Sequence, residues 1–149
     1  MNISAAVTAD IAELCSLLEL LFSQEAEFKA NYDAQHRGLA MIINNPDIGD
    51  ILVARQDGEI IAMVNLLYSV STALGARVGT VEDLVVAPTA RRSGVGSDLL
   101  SYALEFAQER GCKRLTLLTD SDNLAAQRFY QRHGFTKSSM IPLRISLEK

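Results

Sequence analysis

The stretch "VVAPTARRSGVGSDLL", Val85 to Leu100, decides the reading of this chain. Apolar strand formers run into Pro88, then the pair Arg91–Arg92, then Gly94 and Gly96, and then an apolar run at helical spacing. Strand, glycine-rich turn and helix in that order point the unsatisfied N–H groups of a helix start at one spot. The helix dipole adds positive potential there, so the loop suits phosphate. The glycines permit unusual φ/ψ and close backbone approach, and either arginine can add a charge-assisted contact.

Two nucleotide loops with the same outline fail on particular residues. A Walker loop needs Gly-Lys-Ser/Thr, whereas Gly96 is followed directly by Ser97 and Asp98. A dinucleotide fingerprint needs a small residue three positions after its second glycine, and Leu99 stands there.

Working outward, "NISAAV" reads as a first strand, and Asp10 as the N-cap of a helix striped by Ile11, Leu14, Leu17, Leu18 and Leu21. The polar stretch from Ser23 to Tyr32 has weak periodicity, and a second helix is expected over residues 33–44. "ILVAR", "DGE" and "IIAMVNLLYSV" form a hairpin, because Asp-Gly supplies the positive φ of a tight turn. "VGTVEDLVVA" is the next strand, whose alternation places Glu82, Leu84 and Val86 on one face and Asp83 and Val85 on the other. A helix ended by Gly111, the strand "KRLTLLT", the helix "NLAAQRFYQRHG" and one or two strands in "FTKSSMIPLRISLE" complete the chain. The order βα(α)βββαβαβ implies an α/β (or α+β) fold, a mixed sheet flanked by helices.

The segment "NLAAQRFYQRHGF", Asn123 to Phe135, joined to Arg91-x-x-Gly94-x-Gly96, resembles the two signatures of the GNAT acetyltransferase superfamily, in the family's order and about 30 residues apart. The resemblance is good over residues 50–135. It implies a mostly antiparallel sheet of about six or seven strands with about four helices. It also implies a splayed strand pair whose gap takes the pantetheine arm of acetyl-CoA, the acyl-donor co-substrate. The implied donor-binding residues are the main chain of Val85, Val86 and Ala87, the loop Arg91, Arg92, Ser93, Gly94, Val95, Gly96 and Ser97, and Asn123, Ala126 and Tyr130 on the following helix.

Acetyl transfer to an amine poses two proton problems: the ammonium must lose a proton, and the departing thiolate gains one. Glu82, in "VEDL", stands where this superfamily often carries its base, and the closest local resemblance is to diamine and polyamine acetyltransferases. Tyr130 is the implied general acid, protonated at working pH. A main-chain N–H within Val85–Ala87 would serve as oxyanion donor. Phe129 is expected in the core, and His133 at a helix C-terminus.

Glu25, Glu27, Asp33, Asp47 and Asp50 give the front of the chain acidic character, which favours a small cationic amine over a protein amine as acceptor. The alternative from another class is a non-catalytic acyl-CoA-binding module, against which the presence of both Glu82 and Tyr130 counts.

The bulk properties exclude other classes. With 149 residues the chain suits one domain spanning 1–149, and its net charge of −4 argues against nucleic acid or an anionic membrane as partner. "MNISAAVTADIAEL" lacks the marks of a signal peptide and no apolar run is long enough to span a bilayer, so a cytoplasmic location is expected. Cys15 and Cys112 read as reduced packing residues, and two histidines without CxxC leave no metal spacing, so no metal is expected. The alternating "MIPLRISLE" could offer an exposed edge, which makes a homodimer possible.

Overall fold

The computed structural model describes residues 1–23 and 31–148. The expected acidic residues Glu25 and Glu27 fall outside the described residues. The elements are β1 (Asn2–Ala5), α1 (Ile11–Phe22), α2 (Tyr32–Ile43), β2 (Gly49–Gln56), β3 (Glu59–Ser71), β4 (Ala76–Val86), α3 (Val95–Glu109), β5 (Leu115–Leu117) and α4 (Leu124–Arg132). The order matches the mixed, mostly antiparallel α/β reading, with four α-helices among the described residues.

The chain forms two compact units, Met1–Leu118 and Thr119 onward. In the first, the strands lie in the order β1-β2-β3-β4-β5. The first four are antiparallel neighbours, and β5 runs parallel to β4. The β2–β3 turn carries Asp57 at φ 53° and Gly58 at φ 81°, as an Asp-Gly hairpin turn requires. One face of the sheet is covered by α1 and α2. Leu14, Leu18 and Leu39 close there on Ile51, Val53, Met63 and Val85. The long apolar run of β3, "IIAMVNLL", is buried almost throughout, which marks it as a central strand.

Asp10 ends a short 3-10 turn rather than capping α1 with its side chain. Its carboxylate instead accepts from the Val7 N–H at 2.9 Å and from Arg55 Nη2 at 2.6 Å, tying the helix start to β2. Burial would raise the Asp10 pKa, but the Arg55 and Val7 hydrogen bonds and the Arg55 charge outweigh it, and the carboxyl lies below its ordinary value. Cys15 is buried and Cys112 half-buried, and both are free thiols.

α3 ends in a Schellman motif, with Gly111 N–H to Gln108 C=O and Cys112 N–H to Ala107 C=O, both 3.0 Å.

The second unit holds α4 and the residues after it. Asn123 caps α4 by accepting from the Ala126 N–H at 3.1 Å. A second Schellman motif closes the helix: Gly134 N–H reaches Gln131 C=O at 3.0 Å and Phe135 N–H reaches Tyr130 C=O at 3.1 Å. His133 is the C-cap residue, as expected. No residue of α4 is fully buried, so Phe129 is half-buried rather than part of the core.

One expectation fails. Among the described residues the sheet has five strands instead of six or seven, and "FTKSSMIPLRISLE" forms none. Ile141, Leu143, Ile145 and Leu147 keep the alternation of a strand yet are 78–89% exposed. Alternation gives a segment two faces, but a strand exists only where a neighbouring edge takes up its N–H and C=O groups.

Candidate active site

β4 is irregular where the chemistry is expected. Val85 pairs with Met63 and Val81 with Leu66, but Glu82 pairs with Asn65, so β4 carries one extra residue against β3. Asp83 absorbs it at φ 55°, a left-handed conformation that Asp tolerates better than most residues. This bulge overturns the face assignment made from simple alternation. Residues 63 and 65 share a face of β3, so their partners Val85 and Glu82 share a face of β4. Glu82 therefore does not lie with Leu84 and Val86, and Asp83 is not turned away from it.

Both carboxylates line one cavity of about 280 Å³. Its wall on α2 is built from Ala34, Gln35, Gly38, Leu39 and Ile42, the spacing of one helix face. Leu18 and Phe22 of α1 close it with apolar surface, and its remaining strand-side residue is Asn65. A Cβ built on Gly38 meets nothing within 4 Å, so the missing side chain leaves room in the cavity. Glu82 is exposed and Asp83 half-buried.

Asn65 is only 2% exposed. Its Nδ2 donates to Asp83 Oδ2 at 2.6 Å, while its Oδ1 is buried without a hydrogen-bond partner among the described residues. Because a carboxylate only accepts, the NH2 end must face Asp83, which sets the orientation of the amide. Gln35 Nε2 is a second buried group with no hydrogen-bond partner among the described residues, and Gln35 lines both this cavity and a neighbouring one between α1 and α2. Asn65 was missed in the sequence, where a carboxamide inside "IIAMVNLL" was the available signal. Gln35 had none.

Of the expected acidic front residues that are described, Asp33, Asp47 and Asp50 do not line this cavity. Asp33 and Asp47 are exposed. Asp50 accepts from the Tyr68 hydroxyl at 2.6 Å and lies 3.5 Å from Arg110 Nε. Burial, then that hydrogen bond, pushes the Tyr68 pKa well above the usual tyrosine range. Among the described residues, the acidic lining of the cavity is Glu82 and Asp83.

Beside the bulge the sheet opens. β5 pairs with β4 only from Gly79–Leu115 to Val81–Leu117, whereas β4 continues to Val86. The edge of β4 past Val81 is therefore left without a strand among the described residues. The Ala87 N–H is bound to Ile61 C=O at 2.7 Å. By the alternation of an antiparallel ladder, Val85 faces β3 in the same way and Val86 turns its N–H and C=O to the opposite edge. There the Val86 C=O accepts from Arg91 Nε at 3.2 Å.

The loop after β4 leads through a 3-10 turn, Pro88–Ala90, to Gly94, which is the N-cap of α3 at φ 86°. Arg92 is also left-handed, at φ 66°, and Arg91 and Arg92 are exposed. Ser93 Oγ donates to the Ala90 C=O, which braces the turn. The first helical bond of α3 runs from Asp98 N–H to Gly94 C=O at 3.0 Å, so the amides of Val95 and Gly96 lie ahead of it. Ser97 shares that first turn. This is a fitting cradle for a diphosphate.

In the second unit, Tyr130 is half-buried, its ring edge-on to Phe129 at 5.3 Å and to Phe135 at 5.7 Å. Burial pushes its pKa up, so the phenol stays protonated through neutral pH. Asn123 spends its side-chain oxygen on the helix cap, and Ala126 supplies the N–H it accepts from. Among the described residues no group of three or more His, Cys, Asp or Glu is placed to hold a metal ion, and no helix is long and apolar enough to cross a membrane.

Comparison with known proteins identifies the family. The profile of the acetyltransferase (GNAT) family matches residues 11–135. An uncharacterised N-acetyltransferase of Bacillus subtilis, YhfO, is 34% identical over 143 residues, covering 93% of this chain and 92% of that protein. The aminoalkylphosphonate N-acetyltransferase of Salmonella typhimurium is 30% identical over 133 residues, covering 89% and 83%. An integron cassette protein from a salt-marsh metagenome superposes with a TM-score of 0.86 at 26% identity, covering 99% of this chain and 91% of its own. With a family match through both motifs and most of the fold, the chain belongs to the GNAT acetyltransferase family.

Proposed function

We propose that this chain works as a single acetyltransferase domain, moving an acetyl group from acetyl-CoA to the primary amine of a small cationic molecule by direct attack in a ternary complex. The observation that carries the reading is the bulge of β4, which lines an apolar-walled cavity with Glu82 and Asp83 beside the edge of the same strand that has no partner strand among the described residues.

The amides at the start of α3 suit the diphosphate of the donor, with Arg91 or Arg92 adding charge; in the second unit, Asn123 and Ala126 are the residues proposed to bind the donor. The pantetheine arm fits the edge of β4 past Val81, and Val86 is the residue whose N–H is directed there. That N–H is the oxyanion donor within the expected Val85–Ala87 stretch.

The ammonium of the acceptor gives a proton to the Glu82 carboxylate, directly or through water. The freed nitrogen attacks the thioester carbon, the C–S bond breaks as the adduct's nitrogen gives up its second proton to solvent, and the thiolate leaves. The Tyr130 hydroxyl donates to that sulfur. Its raised pKa makes it a weak acid toward a thiol of ordinary pKa near 8.5, so hydrogen bonding to the thiolate is the larger part of its contribution.

The apolar walls supplied by Leu18, Leu39 and Ile42 suit an acceptor with a short carbon body, and the two carboxylates suit its charge. An aminoalkylphosphonate, the acceptor class named for the Salmonella relative, would bring its anion close to those carboxylates.

The test is release of free thiol from acetyl-CoA over a panel of small amines and lysine peptides, with Tyr130→Phe beside the parent. The expected result is turnover with small amines and a loss of roughly a hundredfold in kcat for the variant, with CoA binding retained. Acetyl-CoA binding without turnover on any amine would favour a non-catalytic acyl-CoA-binding module.

A further inference from the structure

The buried amide of Asn65 is not explained by the proton transfers above. It sits in the middle of an apolar strand, 2% exposed, and spends its donor end on Asp83. Asn65 lines the cavity, and its buried Oδ1 has no partner among the described residues. Leaving such an atom unpaired is costly, and a polar group kept in that state calls for an occupant. Since Asp83 holds the NH2 end, the amide cannot turn over to present a donor. The end of the Asn65 amide left over from the Asp83 hydrogen bond is therefore an oxygen that can only accept.

We propose that Asn65 is the specificity residue for the acceptor's N–H: its Oδ1 accepts a hydrogen bond from the amine nitrogen, and Asp83 is the positioning residue that holds the amide in that orientation. Glu82 and Asp83 attract any cation, including one with no N–H. Asn65 adds the distinction between a primary ammonium and a charge of the same sign that offers no proton. It also holds the nitrogen by one N–H while another proton leaves toward Glu82. The inference rests on the acetyl-transfer reading only in placing an amine in this cavity.

The experiment is calorimetric binding in the presence of saturating CoA, which requires no turnover. The probes are n-butylamine, as its ammonium, and butyltrimethylammonium, which share charge and carbon body. The parent protein is expected to bind the primary ammonium about ten- to a hundredfold more tightly, the worth of one hydrogen bond to a charged group. Asn65→Leu, of similar size but without the oxygen, is expected to erase most of that ratio while leaving CoA affinity unchanged. Asn65→Ala removes the same atom with less crowding and serves if the leucine variant does not fold.

A preference due only to the size of the trimethyl group would survive in both variants, and that result overturns the proposal. So does a parent protein that binds the two probes equally. If n-butylamine binds with the expected preference and the Asn65 variants lose it, but no amine is acetylated, the acetyl-transfer reading fails and the role of Asn65 stands. If amines are acetylated and the ratio does not respond to Asn65, the reverse holds.

Discussion

Glu82 pairs with Asn65 across β3 and β4, one residue short of the left-handed Asp83. That register turns the Glu82 side chain to the face that α1 and α2 cover, where the cavity lies. Glu82→Gln keeps the shape and removes the proposed base. We expect kcat/KM for a good amine to fall by about 10²–10⁴-fold, the usual worth of a positioned general base. CoA affinity measured by calorimetry should stay within a factor of about two, since the donor-binding loop is untouched. Parent-like turnover of the variant would remove Glu82 from the mechanism.

Gly94 is left-handed at the start of α3, and a Cβ placed there meets no neighbouring atom within 4 Å. The cost of Gly94→Ala is thus conformational rather than steric, about 1 kcal/mol. Relaxing that strain swings the amides of Val95 and Gly96. CoA should bind roughly tenfold more weakly, while thermal denaturation records only a modest loss of stability. A variant with parent-like CoA affinity would detach the loop from the diphosphate.

Gly38 sits mid-helix on the cavity wall, with open space where a side chain would be. Gly38→Ala should stabilise the protein by up to about 1 kcal/mol through helix propensity. Gly38→Leu occupies the cavity: we expect the acceptor KM to rise at least about tenfold with CoA affinity unchanged. An unchanged acceptor KM in Gly38→Leu would place the acceptor outside this cavity.

Arg55 and Asp10 form a partly buried pair, with side chains 26% and 8% exposed. Arg55→Ala strands the carboxylate and should cost about 3 kcal/mol in urea denaturation at neutral pH. The folded-state pKa of Asp10 is depressed below its ordinary 3.8, so its contribution is present above that value and is lost as pH falls through the lower folded pKa. The stability gap between parent and variant should therefore narrow as pH is lowered from neutral to about 3. A gap that is constant with pH would mean the arginine acts by packing alone.

The linear order of residues was enough for the fold class and the donor loop because both depend on local rules. Positive φ at Gly94 and the Asp57–Gly58 turn follow from which residues tolerate that conformation. The helix ends at Gly111 and Gly134 follow for the same reason, and two motifs in the right order were sufficient to identify the family. The cavity depended on contacts distant in sequence. The extra residue at Asp83 is defined only against β3, since a bulge is a mismatch between two strands and leaves no trace in one of them. Strict alternation therefore put Glu82 and Asp83 on opposite faces, and the paired strands brought both to one cavity. Asn65 became meaningful only when burial left one of its atoms with a partner and the other without. The tail from Phe135 shows the converse: its alternation was plain in sequence, but strand formation requires an edge to pair with, and sequence periodicity cannot supply one.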